Sequence, residues 1–311
     1  MKPFLRFFLA GLFPIPVLCL LFSGCSSLNF LYKDAEKYSY GNTELAEKVE
    51  NLDLSWVSGS VKILYHDRNT VKLCETSSSS LSEDTSVHWF LHGTTLHIRF
   101  LKSGTYRSLR LAKDLTLTLP KDFAAKNVEI SLASADFETE MLRSEKIEIS
   151  SASGDVSLTS AATGKIEISS TSGKINLIQK ENCPKIKLNT ASGSIRADVL
   201  QAGDLSANTA SGKVEIRGTS FGDLSVDSAS GDVQISVIET LSECSIDTAS
   251  GEVTLFLPEK MGFTAEIETG SGGFESDLAL RQKGETYIAG DGKAKIEIDT
   301  ASGDIFVKKA G

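Results

Sequence analysis

The chain has 311 residues, 41% of them hydrophobic and 23% charged, with 41 acidic side chains against 32 basic ones. That balance belongs to a folded chain and excludes a disordered one, while the acidic excess disfavours nucleic acid and anionic lipid as direct partners. The length admits two domains or one long repetitive array.

At the N-terminus, Lys2 and Arg6 precede an apolar run, "MKPFLRFFLAGLFPIPVLCLLFSGC", which stops at small residues and reads as an export signal. Pro14 and Pro16 within it disfavour an uncleaved membrane span. Its end, "LFSGC", resembles the lipobox of bacterial lipoproteins, with Phe22 where leucine is usual. The resemblance implies removal of residues 1–24, a lipid on Cys25, and a product exported and anchored to a bacterial membrane in the cell envelope. Such removal leaves 30 basic residues against 41 acidic ones. Residues 25–46 are mixed and polar and read as a tether.

From 47 to 130 short alternating runs succeed one another, among them "LDLSWV", "SVKILY", "VHWFLH", "TLHIRF" and "LTLTLP". Alternation at period two predicts half-buried strands, here an irregular β cap or the first turns of a longer array. "ETSSSSLSEDTS" and "LKSGTYRS" interrupt it as loops.

From 131 to 311 a repeat takes over. Its corner, "T-A-S-G" or a close copy, places glycines at Gly154, Gly173, Gly193, Gly212, Gly231, Gly251, Gly272 and Gly303, at intervals of 19, 20, 19, 19, 20, 21 and 31 residues. After each corner comes an aliphatic pair, as in Val156/Leu158, Val214/Ile216 and Ile305/Val307; before the next comes another, as in Ile147/Ile149, Leu224/Val226 and Ile296/Ile298. Each strand therefore has one dry and one wet face. Glycine tolerates positive φ, and the hydroxyls can bond nearby backbone.

One unit buries about four aliphatic side chains at roughly 1.5–3 kcal/mol each, against an ordering cost near 1–2 kcal/mol per residue. It cannot fold alone, but stacked units cover one another. A hairpin meander built on "SG" would leave a bare apolar face with no helix to cover it. The favoured fold is an all-β, single-stranded β-solenoid with two parallel strand ladders and successive segments directly atop one another.

The lipobox, the "LTLTLPKDF" element, the serial corners and the terminal "GDGKAKIEIDTASGDIFV" together resemble the bacterial β-strand-repeat "putative adhesin" family, of unknown function. The resemblance covers about residues 50–310. It implies an architecture and carries no catalytic residues to transfer.

Chemistry is sparse. No His, Trp or Tyr lies between 131 and 286, so the array lacks the commonest general base and the usual sugar-stacking rings. In "HWFLHGTTLHI", His88 and His92 share a strand face with Phe90, and His97 comes after a turn; they read as exposed polar sheet surface in preference to a zinc site.

Asp227, Asp247, Glu268 and Asp299 precede their corners at one frame position, and Asp232, Glu252 and Asp304 come after theirs. Stacking turns these into an acidic strip. Asp227, Asp232, Asp247, Glu252 and Glu268 are weak candidates for calcium, without a "GGxGxD" or EF-hand spacing to support them. Charge that blocks pairing of sheet edges explains the strip more simply.

Cys74, Cys183 and Cys244 contain no C-x-x-C pair and make no disulfide framework. Cys244 falls in the inward phase, while Cys183, in "ENCPK", reads as a loop thiol. The residues thus point to a non-catalytic scaffold or adhesin-like binding surface without a cofactor. Its partners would be the membrane, through the lipid, and an envelope or surface protein or a glycan. An envelope-stress or signalling accessory binding a membrane protein is the alternative, and a carbohydrate-active enzyme on a β-helix a weaker one.

Overall fold

The computed structural model describes residues 31–105 and 111–310; the segment read as an export signal and the lipid-attachment candidate Cys25 lie outside them. Twenty strands and no α-helix occur among the described residues. The N-terminal part contains β1 (Ser39–Tyr40), β2 (Thr43–Leu45), β3 (Asn51–His66), β4 (Val71–Thr76), β5 (His88–His92), β6 (Thr95–Arg99) and β7 (Lys113–Pro120). The array contains β8 (Ala125–Ser151), β9 (Val156–Ser170), β10 (Ile175–Thr190), β11 (Ile195–Ser211), β12 (Val214–Ser230), β13 (Val233–Ser250) and β14 (Val253–Leu257). The C-terminal part contains β15 (Phe263–Ser271), β16 (Phe274–Ser276), β17 (Arg281–Lys283), β18 (Thr286–Ala289), β19 (Ala294–Ser302) and β20 (Ile305–Lys309).

The long strands pair in parallel and in register. Ile175 stands opposite Val156 on one side and Ile195 on the other, and Leu224 stands between Leu205 and Cys244. A meander would require antiparallel pairs here, so the solenoid is the fold. Each strand from β9 to β13 first contributes to one wall, bends, and then contributes to the second wall before the glycine corner, whereas β3 and β8 begin on the second wall and pass a corner at Gly59 or Ala135 into the first. Inward pairs such as Val214/Ile216 and Leu224/Val226 are buried from both walls into one continuous core.

The glycine corners are close backbone contacts. A Cβ at Gly154 would stand 1.8 Å from the carbonyl oxygen of Ala135, and one at Gly212 2.3 Å from that of Gly193. Gly212 has φ +143, but Gly154, Gly173 and Gly193 are absent from the positive-φ region, so proximity is the requirement all the corners share. Preceding hydroxyls complete the turn: Gly173 N–H donates to Ser170 Oγ at 2.8 Å, and Gly193 N–H to Thr190 Oγ1 at 3.0 Å.

The structure corrects three expectations. First, of the two readings of residues 47–130, cap or first turns, β3 takes the second and moves the start of the array ahead of 131, since Leu52, Leu54, Val61 and Ile63 align with Val128, Ile130, Phe137 and Thr139 of β8. Within the excursion between β3 and β8, β6 and β7 extend the two walls by pairing in parallel with β3, and β5 and β4 pair antiparallel outside them as cap. Second, the segment read as tether is ordered into pairing at its end: β1 pairs with β5 and β2 with β4. These short strands finish the two walls and cover edges that would otherwise recruit other chains.

Third, spatial order departs from chain order at the C-terminal end. β19 pairs with β13 on one side and β15 on the other, while β20 lies between β14 and β16. The last segment of the chain is therefore inserted between the two coils that precede it. Gly303 packs on the carbonyl of Gly251, and Gly272 on that of Gly303.

Cys183 is also corrected. It is fully buried within β10, beside Ala202 of β11, in an inward column that continues through Phe221 and Leu241. This column closes the core at the bend opposite the glycine corner. Burial pushes the Cys183 thiol up and that of Cys244 up to about 12. Both thiols should resist a thiol-specific reagent in the folded chain, while half-exposed Cys74 reacts first. Native-state labelling of Cys183 or Cys244 as fast as Cys74 would contradict this placement.

Candidate functional site

The outer face of the second wall carries the acidic strip. One column runs Ser150, Ser169, Asn189, Asn208, Asp227, Asp247, Asp299 and Glu268 in spatial order. Its polar part is a hydrogen-bonded ladder, in which the Asn208 amide donates to Asn189 Oδ1 at 2.9 Å. Its acidic part stacks like charges one strand spacing, about 4.8 Å, apart. Asp247 is paired in register with Asp227 and Asp299, whereas Glu268 is a neighbour of Asp299 and stands two rungs from Asp247. Glu297 and Glu266 lie on the same face two residues upstream of Asp299 and Glu268.

Burial raises the carboxyl of Asp227, with help from Asp247, and burial likewise raises that of Asp247. Asp299, at the centre, is pushed up to about 6 by burial and by Asp247, Glu268, Glu297 and Glu266. Its proton is thus held more tightly in the folded chain than in the unfolded one, where the value is near 3.8. Stability from this group should rise as pH falls from above 6 towards 3.8, and be lost as pH rises through 6. Asp299→Asn should flatten that slope between pH 7 and 5 and stabilise at pH 7 by about 1 kcal/mol, after allowance for solvent screening. Denaturant midpoints across this pH range check it; an unchanged slope or a less stable variant would refute it.

Asp232 and Glu252 belong to a separate column at the corner, and they are used in folding. Glu252 N–H donates to Asp232 Oδ1 at 3.1 Å, as Gly273 N–H does to Asp304 Oδ1 at 2.8 Å and Lys174 N–H to Asp155 Oδ1 at 2.8 Å. Each carboxylate satisfies a backbone donor of the next coil that the turn would leave free. Asp227, Asp247 and Glu268 are therefore not brought together with Asp232 and Glu252. Among the described residues, no group of three or more His, Cys, Asp or Glu side chains is arranged to hold a metal ion. A shallow groove of about 320 Å³ lies on the first wall, lined by residues including Glu138, Ser157, Asn176, Ile178, Arg196 and Asp198. It shares no residue with the acidic column.

The histidines do not form one exposed cluster. His88 is buried beneath Tyr40, with Nδ1 3.0 Å from the Ser86 carbonyl, and burial lowers its pKa. His97 Nδ1 stands 2.6 Å from Asp53 Oδ2, which Arg99 also bonds at 2.6 Å. Burial opposes ionisation of Asp53, but hydrogen bonds from His97 and Arg99 outweigh it and hold the carboxyl at about 2.

Sequence reasoning missed a buried ion pair in the cap. Lys113 Nζ lies 2.9 Å from Glu75 Oε2, with the two side chains 0% and 4% exposed. The ammonium also donates to the carbonyls of Thr85, at 2.7 Å, and Phe100, and sits 5.0 Å and 4.3 Å from the ring centres of Trp56 and Phe100. Glu75 Oε1 accepts from Val87 N–H at 2.6 Å. A signal was present: Lys113 shares the inward phase of Leu115, Leu117 and Leu119, and Glu75 that of Val71 and Leu73.

A parallel two-walled β-solenoid whose repeated residues serve the coil defines a β-repeat protein built by stacking like segments. The family model described as "Toastrack DUF4097" matches residues 49–308, and the chain belongs to that family. The resemblance drawn from the corners and the terminal motif is thereby borne out.

Among solved structures, a "putative adhesin" from Parabacteroides distasonis ATCC 8503 is 17% identical, with 84% of this chain and 97% of that chain covered and a TM-score of 0.47. Another, from Bacteroides fragilis NCTC 9343, is 10% identical, with 88% and 97% covered and a TM-score of 0.38. No curated protein matches the chain by sequence.

Proposed function

We propose that this protein is a lipid-anchored scaffold of the bacterial cell envelope that presents an adhesin-like binding surface and performs no catalysis. The supporting observation is the division of labour among its residues. Glycines, corner hydroxyls, aliphatic pairs and corner carboxylates build the coil, and what varies from coil to coil is the outer face of each wall, the second wall alone carrying the acidic column. On the second wall the column Lys146, Lys165, Lys185 gives way to Asp204, Asp223 and Glu243 and then returns to Lys295. A flat face whose charge changes sign along its length suits recognition of an extended partner, an envelope or surface protein or a glycan, better than it suits turnover of a small substrate.

The test is capture from native envelopes by the full lipidated chain and by the charge-reversed variant Asp227→Lys/Asp247→Lys/Glu268→Lys. Reversal of Glu138 and Asp198 on the first wall serves as the control. The reading expects partners lost on second-wall reversal alone, with the β-sheet circular dichroism retained. Identical capture by all three proteins, or glycan hydrolysis by the purified chain, would refute it.

A further inference from the structure

The surface at the N-terminal end differs from the rest of the molecule. Tyr32 and Tyr38 have ring centres 4.5 Å apart, Tyr38 and Phe90 5.4 Å, Phe90 and His92 5.7 Å, and Tyr40 and His88 6.1 Å. In register, Tyr40 faces His88, and Phe90 and His92 continue on the same side of β5, so these rings form one patch on the outer face of the second wall. The segment bearing the tyrosines is tied down by Tyr32 Oη, which donates to the Leu101 carbonyl at 3.1 Å, and by Tyr32 N–H on Ser103 Oγ.

Leu31 and Tyr40, at 65% and 55%, are the most exposed large apolar side chains among the described residues, and both lie in this segment. Leu31 is six residues after Cys25, a reach of at most ~22 Å. A lipid on Cys25 therefore keeps the patch within reach of the bilayer.

Tyrosine and histidine rings, with an apolar body and a polar tip, are suited to the lipid–water boundary. The acidic column opposes that contact and lies at the other end: Glu268 is nine rungs from Ser55 along the wall, about 43 Å. We infer that the N-terminal end of the solenoid seats on the lipid surface through Leu31, Tyr40 and the adjoining rings, so that the solenoid stands with its acidic C-terminal coils directed away from the membrane. This rests on lipidation of Cys25, part of the function proposed above.

The experiment reconstitutes the full lipidated chain into phosphatidylethanolamine–phosphatidylglycerol vesicles with and without brominated acyl chains. It compares Tyr40→Trp with Phe306→Trp, a site on the first wall near the C-terminal end, against the emission of the native tryptophans. Flotation of the vesicles tests the anchor and quenching tests the seating. The inference expects flotation lost in Cys25→Ser, most of the added emission of Tyr40→Trp quenched, and that of Phe306→Trp unaffected.

Flotation without quenching of Tyr40→Trp would overturn the seating and leave the anchor standing. Equal quenching at both sites would overturn the upright orientation. Flotation unaffected by Cys25→Ser, or no flotation at all, would overturn the anchor and the inference with it. A response of Tyr40→Trp to soluble peptidoglycan fragments and not to bromolipid would make the patch a glycan platform instead.

Discussion

Lys113→Ala should cost about 3–5 kcal/mol, among the largest effects of any single side chain in this protein. The variant leaves Glu75 buried with its cation gone, and a side chain 4% exposed cannot recover that loss from water. It also removes the group that ties the carbonyls of Thr85 and Phe100 together across the cap.

Burial lowers the Lys113 pKa and Glu75 counters the effect, so the pair survives as a pair or not at all. Glu75→Ala should therefore cost a similar amount, whereas Lys113→Met combined with Glu75→Leu should recover part of it, because apolar side chains of similar volume need no counter-ion but leave Val87 N–H and the carbonyls of Thr85 and Phe100 without these partners. Urea midpoints monitored by Trp56 fluorescence measure this: the Trp56 Nε1–H donates to the Lys113 carbonyl at 2.9 Å, so the reporter sits on the element in question. A single-variant cost below about 1 kcal/mol, or a double variant worse than either single, would contradict the account.

Gly212→Val is the second large effect, again about 3–5 kcal/mol. Two penalties coincide there. The residue has φ +143, and its Cβ would stand 2.3 Å from the Gly193 carbonyl oxygen and 3.1 Å from Ser194 N, backbone atoms held in the neighbouring coil. Gly284→Val separates the terms, since Gly284 has φ +65 with open space around the added carbon and should lose only about 1–2 kcal/mol. In a stack whose coils contact only their neighbours, a corner forced open in the middle also breaks cooperativity. The Gly212 variant should therefore unfold in two steps or over a broadened range. Equal costs at Gly212 and Gly284 would mean that close packing of the corners is not what the glycines provide.

The walls, the corners and the dry interior are legible in the sequence because they are repeated: one coil read correctly is nearly every coil, and period-two alternation fixes which side chains turn inward. What escapes is what occurs once. Lys113 and Glu75 stand in the apolar phase of their strands, but a charge in that phase ordinarily marks a strand's end. Asn182 and Pro184 flank Cys183 and give it the local signature of a loop; the structure accommodates them by a register shift between Gln179 and Asn182, after which Cys183 resumes the inward phase.

His88 has the sequence signature of surface because its cover, Tyr40, comes from a segment with no periodicity of its own. The acidic column is visible in the frame, but not its order. Stacking by chain sequence would put Asp247 beside Glu268, and only the long-range pairing of β19 puts Asp299 between them. That central position is why Asp299 carries the most crowded carboxyl of the column.

The parallel stack with an inserted final coil is tested most directly by cysteine cross-linking. Adjacent rungs stand about 4.8 Å apart, and alternate ones about 9.6 Å, beyond the ~7 Å a disulfide can span. Under mild oxidation, Asp247→Cys should cross-link efficiently with Asp299→Cys, and Glu268→Cys with Asp299→Cys, while Asp247→Cys with Glu268→Cys should not. A disulfide between positions 247 and 268, with none between 247 and 299, would contradict the insertion and the order of the acidic column built on it.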